Sequence, residues 1–513
     1  MTTALETNGA LAIDNALKKV TSTDGLGVYA SADVLFKGAV FGRDSLEVAE
    51  DLMNVKPHLV ERVLLTLAGM QGIKDSALNE EEPGKIVHEY RSKKVDGKPL
   101  DDISQVIFDE LYGRWGGEGE QLAYFGSVDA TPHFIRVVAK YTVEHDAHFL
   151  KRHILRRDGS ETTMANVLDL AVDWILNKLD SSTSGMLEYL RKNPNGIQKQ
   201  VWQDSAEFYV HTDREMANHD MPVSSIEVQG LTYDALICAS ELLPKRKDEL
   251  ADRAEKLRAR TFALLWLPEE QYFALGTDHD KNGNMRIIKT RTANPGALLD
   301  TRIFDNLPEA TQKQYISGIV RALFGKDFLT NAGIRSRALQ EADLIPFWDY
   351  HGSYVSWPKE TYDIAKGLKR HGLPGLSAQL ENRLLNVTKR SGIFPEFFYI
   401  DADGRVLFPP KAGIRPEEQV EVESTNRPEA VQAWTVSAIM GIMADTIHGP
   451  TESPFELAWQ VHLESEVIEE IAKVDILDDK KLAERYPYYS FKLTRDKSKS
   501  FSSYLYEKVE ADI

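Results

Sequence analysis

Apolar residues recur at three- and four-residue intervals along most of this chain and alternate in only a few short stretches. Leu59, Val63, Leu67 and Met70 share one helical face behind Pro57, a residue suited to a first helical turn. Thr131-Pro132 opens a second helix through Phe134, Val138 and Tyr141. Further stripes run through Val167, Leu168, Ala171, Ile175 and Leu179, and through Tyr315, Ile319, Val320 and Leu323. Tyr362, Ala365 and Leu368 end at Gly372, and Leu376, Leu380 and Leu384 follow. Val431, Trp434, Ala438 and Ile442 form a late helix. Two hairpins interrupt this series. In one, Gln271 to Ala274 and Arg286 to Thr290 flank the turn Asp278 to Asn284. In the other, Phe397 to Ile400 and Val406 to Phe408 flank Asp401 to Gly404. About a dozen helices with long, residue-rich connections predict an all-α fold of paired concentric helical rings rather than a four-helix bundle.

Length sharpens this picture only a little. The 513 residues would suit about three domains of ordinary size. One large toroid of helices accounts for the length equally well, and no linker rich in Pro, Gly and Ser divides the chain. The expected organisation is a lead-in over residues 1–40, one domain over 41–447 and an extension over 448–513. After about Pro450 the chain turns acidic, then mixed and tyrosine-rich, as an extension packed on the outside would be.

Charge and cysteine content narrow the partners. The net charge of −18 argues against nucleic acid, whose phosphates need a basic face. The single cysteine, Cys238, rules out an intrachain disulfide and sits in an apolar helical stretch, which predicts a buried, inert thiol. Met1 to Asn15 carries no basic region followed by an apolar run, and no stretch approaches the length of a membrane span. A cytoplasmic protein without a membrane partner is the expectation.

Candidate chemistry lies in five connections. In Phe41-Gly42-Arg43-Asp44-Ser45, Arg43 and Asp44 are suited to sugar hydroxyls, one donating and the other accepting. Asp44 could instead cap a helix, with Glu47 completing a capping box. Tyr124 to Pro132 holds an aromatic-Gly-Ser-x-Asp run, where Asp129 either meets a ligand or caps the helix that follows. In Trp202-Gln203-Asp204-Ser205, burial against the indole would raise the pKa of Asp204 toward that of a general acid. The competing reading is an N-cap before Ser205 to Tyr209. Tyr350 to Pro358 places His351 and Trp357 before a helix start, lining a pocket or simply packing a loop. In Phe394-Pro395-Glu396-Phe397-Phe398, a carboxylate stands among three phenylalanines. Burying it is costly unless it serves a purpose such as base catalysis, and the alternative is an exposed, solvated Glu396. Two acids on separate connections fit glycoside hydrolysis, one protonating the leaving oxygen and one activating water.

Together these segments resemble the bacterial amylo-α-1,6-glucosidase or glycogen-debranching-like family, related to the glucoamylases. The similarity runs in order from Phe41 to about Ala444. It comprises FGRDS at Phe41, EEPGKIVHE at Glu81, YFGSVDATP at Tyr124, WQDS at Trp202 and EVQGLTYDAL at Glu227. It continues with NPG at Asn294, GIR at Gly333, YHGSYVSWP at Tyr350 and FPEFF at Phe394. The resemblance implies an (α/α)6 barrel with the site at one mouth, and inversion at the anomeric carbon of a non-reducing glucosyl unit. It implies Asp204 as general acid and Glu396 as general base. Arg43 and Asp44 would bind the terminal glucose, while Asp129, Trp202, His351 and Trp357 shape its subsite. The implied substrate is an oligosaccharide or small glucoside, with no cofactor and no metal.

This chain departs from the family pattern in two places. It reads YHGSYVSWP where the family is closer to YHNGSVWP, and Arg427 to Trp434 where the family resembles SPQAW. Glu429 stands in the second of these and is a second candidate for the base. The departures also leave room for a sucrose-cleaving or glucosyl-glycerate-type hydrolase on the same barrel, or a sugar-binding protein with a degenerate site. Other signals fail on spacing. Asp278-x-Asp280-x-Asn282-Gly283 begins like a calcium loop, but its twelfth position is Lys289 rather than Glu. His211, His219 and His279 lack zinc spacing, and Glu81 to Lys85 lacks that of a phosphate loop.

Overall fold

The computed structural model describes residues 4–447 apart from 34, 411–413 and 423–425; the predicted extension over 448–513 lies outside the described residues. Twelve α-helices occur among the described residues: α1 (Ala4–Val20), α2 (Gly42–Asp51), α3 (Pro57–Gly69), α4 (Asp102–Trp115), α5 (Ala130–Glu144), α6 (Met164–Ser181), α7 (Ile226–Leu242), α8 (Lys247–Leu265), α9 (Glu309–Leu323), α10 (Pro358–Arg370), α11 (Pro374–Ser391) and α12 (Ala433–Ile447). Their starts have local causes. Pro57, Pro358 and Pro374 occupy first-turn positions, where a missing N–H costs nothing. Asp101 caps α4 by accepting from the Ser104 N–H at 2.9 Å. Thr163 caps α6 in the same way.

Apart from α4, which packs on Gln121–Tyr124, the helices fall into two layers by their contacts. Helix α2 packs on α5, α5 on α7, and α7 on the 3-10 segment Asn294–Asp300. That segment packs on α10, α10 on α12, and α12 back on α2, so the series of contacts returns to its start. Each of these elements carries an outer neighbour: α3 on α2, α6 on α5, α8 on α7, α9 on Asn294–Asp300, α11 on α10 and α1 on α12. Residues 1–40 were expected to be a lead-in. They contribute α1, whose Ile13, Ala16, Leu17 and Val20 are buried in the same core as the rest of the chain.

Glycine permits two of the closest approaches. A Cβ on Gly42 would stand 2.0 Å from the Val87 carbonyl oxygen, and one on Gly367 would stand 2.5 Å from the backbone of Leu299. The first sets α2 against the segment that leads into Glu89–Ser92, and the second sets α10 against Asn294–Asp300.

The inner elements bury charge as well as apolar surface. Arg136 of α5 pairs with Glu50 of α2 at 2.6 Å and also with Asp300. Lys359 of α10 bridges Glu47 at 2.8 Å and Asp363 at 2.7 Å, and Lys366 bridges Asp51 at 2.8 Å and Asp363 at 2.9 Å. Buried ions need such partners, because an unpaired one keeps its full desolvation penalty.

Strands are more numerous than the two expected hairpins. Val40–Phe41, Glu89–Ser92 and Gln121–Tyr124 form one sheet, and Val355–Ser356, Phe398–Ile400 and Val406–Leu407 form another. Glu188–Tyr189, Val223–Ser225, Gly276–His279 and Met285–Ile288 form a third. The hairpin expected at Gln271 to Ala274 is displaced. Gly276–His279 pairs with Met285–Ile288, while Tyr272–Phe273 turns back onto Trp266–Leu267. Asp280 explains the shift, since its carboxylate accepts from the N–H groups of Asn282 and Asn284 and closes a tighter turn. The hairpin at Asp401 to Gly404 occurs where expected.

Candidate active site

Four of the five motif-bearing connections adjoin one of these small sheets. Strand Val40–Phe41 leads directly into Arg43 and Asp44, Gln121–Tyr124 leads to Asp129, and Ser356 precedes Trp357. Glu396 stands just before Phe398–Ile400, which pairs with the Ser356 strand. The sheets fix loops that a helical bundle alone would leave free.

Asp44 is not a cap. Helix α2 begins at Gly42 behind Phe41, with no side-chain cap, so Asp44 lies inside the first turn. It is buried, and Gln432 donates to its Oδ1 at 3.1 Å. Burial pushes its carboxyl up to about 7, against the lowering effect of Arg43. Arg43 donates from Nη1 to Asp129 Oδ2 at 2.6 Å. Asp129 precedes α5 but makes no capping bond, and its Oδ1 is buried without a partner. Arg43 Nε is likewise buried and unpaired. Two unused polar atoms on one ion pair are suited to ligand hydroxyls.

The helix expected after Asp204 is absent: residues 201–209 form an irregular connection. Asp204 keeps a partly exposed face. The Tyr350 hydroxyl donates to its Oδ1 at 3.0 Å. Desolvation raises its pKa, opposed by the Arg43 charge and by the Tyr350 bond. Aromatic rings wall this side. Trp202 meets His351 edge-on at 5.1 Å and Trp357 at 5.4 Å, and His351 stacks on Trp357 at 4.8 Å. The Trp357 indole N–H donates to the Tyr350 carbonyl at 2.6 Å, which holds Asp204's partner in place. Burial and the Arg43 charge keep His351 well below its ordinary pKa, so it is neutral, and both of its ring nitrogens are buried without partners.

Glu396 occupies a different setting, and it is not the solvated side chain of the alternative reading. Its N–H donates to the Glu429 carbonyl at 2.9 Å, and the Glu429 N–H returns to Glu396 Oε2 at 3.3 Å. Burial pushes its carboxyl up to about 8, helped by the negative charges of Glu429, Asp44 and Asp204. Glu429 is half-buried, and Ser31 donates to its Oε2 at 2.5 Å. Burial raises its pKa too. Burial pushes the Tyr350 hydroxyl up, with Asp204 adding to it and Asp349 and Glu396 contributing less.

The structure thus gathers Arg43, Asp44, Asp129, Trp202, Asp204, His351, Trp357, Glu396 and Glu429 around one region. It adds residues to which no role had been assigned. Glu227, at the start of α7, is buried and accepts from Ser225 at 2.5 Å and Asn294 at 2.8 Å, leaving Oε1 without a partner. Lys359 lies 5.2 Å over the Trp202 ring. Arg43, Asp129, Trp202, Glu227 and Lys359 line a cavity of about 80 Å³. The EVQG and NPG motifs marked Glu227 and Asn294 in the sequence, but nothing there signalled that they meet. Lys359 had no signal. Away from the site, Cys238 is buried as expected, and burial pushes its thiol up to about 12.

No helix among the described residues is long and apolar enough to cross a membrane. No protein-family model and no curated protein matches the chain. Solved structures do. The fold is similar to that of a GH63 mannosylglycerate hydrolase from Thermus thermophilus in complex with glucose, at 14% identity and a TM-score of 0.54, covering 84% of this chain and 98% of that one. It is similar to an uncharacterized conserved protein from the same organism, at 12% identity and a TM-score of 0.53, with 84% and 98% covered. A wild-type glycosidase aligns at 11% identity and a TM-score of 0.50, with 89% and 99% covered. At these identities the likeness is one of fold.

Proposed function

We propose that this chain is an inverting glycoside hydrolase on an (α/α)6 barrel, releasing glucose from the non-reducing end of small α-glucosides, as an amylo-α-1,6-glucosidase does. In this reading the returning series α2, α5, α7, Asn294–Asp300, α10 and α12 is the inner ring. The observation that carries the function is two carboxyls, Asp204 and Glu396, acting on the same Tyr350 beside an Arg43–Asp129 pair with unused polar atoms. Asp204 is the general acid and Glu396 the general base, with the Glu429 backbone holding Glu396: its carbonyl accepts from the Glu396 N–H and its N–H donates to the Glu396 carboxylate. Arg43 and Asp44 take the hydroxyls of the terminal glucose; Asp129, Trp202, His351 and Trp357 shape its subsite. The enzyme works in the cytoplasm, on a small glucoside and without a cofactor.

A second reading keeps the barrel and changes the aglycone to a glycerate-type group. It is supported by the likeness to a mannosylglycerate hydrolase. The test for both is a panel of isomaltose, panose, maltotriose, trehalose, sucrose and glucosylglycerate, followed by proton NMR. Release of β-glucose from isomaltose or panose supports the first reading, and preference for glucosylglycerate supports the second. Release of α-glucose would overturn inversion, and sugar binding without turnover would overturn the hydrolase.

A further inference from the structure

A second, larger cavity lies apart from the candidate active site, and its volume is about 630 Å³. None of the nine site residues named from sequence lines it. Leu65 and Met70 from the end of α3, together with Leu26 and Leu155, give it an apolar wall. Trp115, at the end of α4, closes one side. Its volume falls in the range of small-molecule sites, which pair apolar walls with a few convergent polar groups.

The polar groups here are cationic. Lys74, Arg156 and Arg157 face Glu118 alone among the charged lining residues, in a chain whose net charge is −18. Lys74 and Glu118 pair at 2.7 Å in an exposed contact. Arg157 is committed to Glu81 and lies 5.4 Å over the Phe125 ring. Arg156 is different: its Nε and Nη2 are both buried and have no hydrogen-bond partner. Asp158 is close enough to feel its charge, but the Asp158 carboxylate accepts from Ser160 instead. The protein leaves two donors of this partly exposed, cavity-lining guanidinium unsatisfied, and a rotation of the side chain would turn that fork, matched to a carboxylate or phosphate, toward a ligand.

We propose that this cavity binds a small organic anion, its carboxylate or phosphate held by Arg156 and its body against the Leu65, Met70 and Trp115 wall. The site stands independently of the hydrolase reading, because no residue proposed for catalysis takes part. It abuts the catalytic region all the same. Gln121 and Ala123 line it, and their strand runs on to Asp129. Asn79, also in the lining, accepts from Phe125 N–H at 2.8 Å and donates to the Ala123 carbonyl at 3.1 Å.

The test is calorimetric titration of the full chain with phenyl phosphate, benzoate, glucose 6-phosphate and inorganic phosphate at fixed ionic strength. At least one organic anion is expected to bind with 1:1 stoichiometry, and more tightly than inorganic phosphate. Arg156→Gln should weaken it at least tenfold with an unchanged melting temperature, whereas Asp204→Asn should leave the affinity unaltered. Thr66→Trp, which fills the cavity while leaving Arg156 in place, should also abolish binding. No binding by any probe, equal binding by Arg156→Gln, or loss of binding in Asp204→Asn would each overturn the proposal. The carboxylate and phosphate arms separate the two head groups.

Discussion

The two carboxyls of the candidate site sit in opposite kinds of surroundings. Asp204 is on an irregular connection walled by Trp202, His351 and Trp357, with a hydroxyl donor from Tyr350 and the Arg43 charge nearby. Glu396 is held by hydrogen bonds to the Glu429 backbone, and burial, helped by the neighbouring carboxyls, pushes it up to about 8. Burial raises both carboxyls, but at Asp204 the Arg43 charge and the Tyr350 bond oppose it, whereas at Glu396 the neighbouring carboxyls add to it. For Glu396 this runs against the proposed role, in which that carboxyl must lack a proton. The lesson is that burial alone does not assign acid and base. The neighbours of each carboxyl, and what a bound sugar does to them, decide it.

The sharpest way to break the comparison is to remove each carboxyl in turn. Asp204→Asn and Glu396→Gln should each lower kcat by about 10²–10⁴-fold while leaving sugar binding largely intact. An aryl glucoside with a good leaving group needs little protonation, so it should restore turnover to Asp204→Asn and not to Glu396→Gln. Rescue of the Glu396 variant instead would exchange the roles.

The pH profile asks the same question without mutation. A base with its pKa at about 8 is inactive while protonated, so kcat/KM should rise with pH and level off near that value, changing about tenfold per unit below it. Were Glu396 the acid, activity would instead fall as pH rises through the same value, because the proton it must donate would be gone.

Smaller changes refine each side separately. Tyr350→Phe deletes the donor to Asp204, a bond to a charged group worth about 1.5–3 kcal/mol. The variant should lose about tenfold or more in kcat/KM, and the limb belonging to Asp204 should move to higher pH. Glu429→Gln removes a neighbouring negative charge and keeps the backbone clamp. It should shift the Glu396 limb to lower pH with only a few-fold change in kcat; an unshifted limb would mean that the Glu429 charge does not reach Glu396.

Sequence pattern made four of the outer helices and the inner helices α5, α10 and α12 legible, and passed over α2 and α7. Helices α3, α6, α9 and α11 show apolar stripes because one face meets the core and the other meets water. Helix α2 buries Arg43, Asp44 and Glu47 against its neighbours, and α7 buries Glu227 and Asp234. Their buried faces read as polar, so periodicity passes over them. The motif-bearing connections were legible as connections, and their residues do converge. The capping readings of Asp44 and Asp204 failed because a cap is inferred from neighbours in sequence, whereas the partners are far along the chain: Gln432 for Asp44 and Tyr350 for Asp204. The displaced hairpin at Gly276 has the same origin in reverse, a local turn at Asp280 that outcompetes a longer alternating pattern.

The paired ions between the inner helices carry a consequence for how such a chain can change over generations. Glu50, Arg136 and Asp300 form one group and Lys359, Asp363, Lys366 and Asp51 a second, each joined by shared partners. Replacing Arg136 removes the ion-pair partner of Asp300, and replacing Lys366 removes that of Asp51, at about 3–5 kcal/mol each, so such single steps are costly while matched pairs of steps remain open. Drift in this interior is therefore expected to proceed by correlated exchanges. A library that varies these positions together is expected to return more folded protein than one that varies them singly.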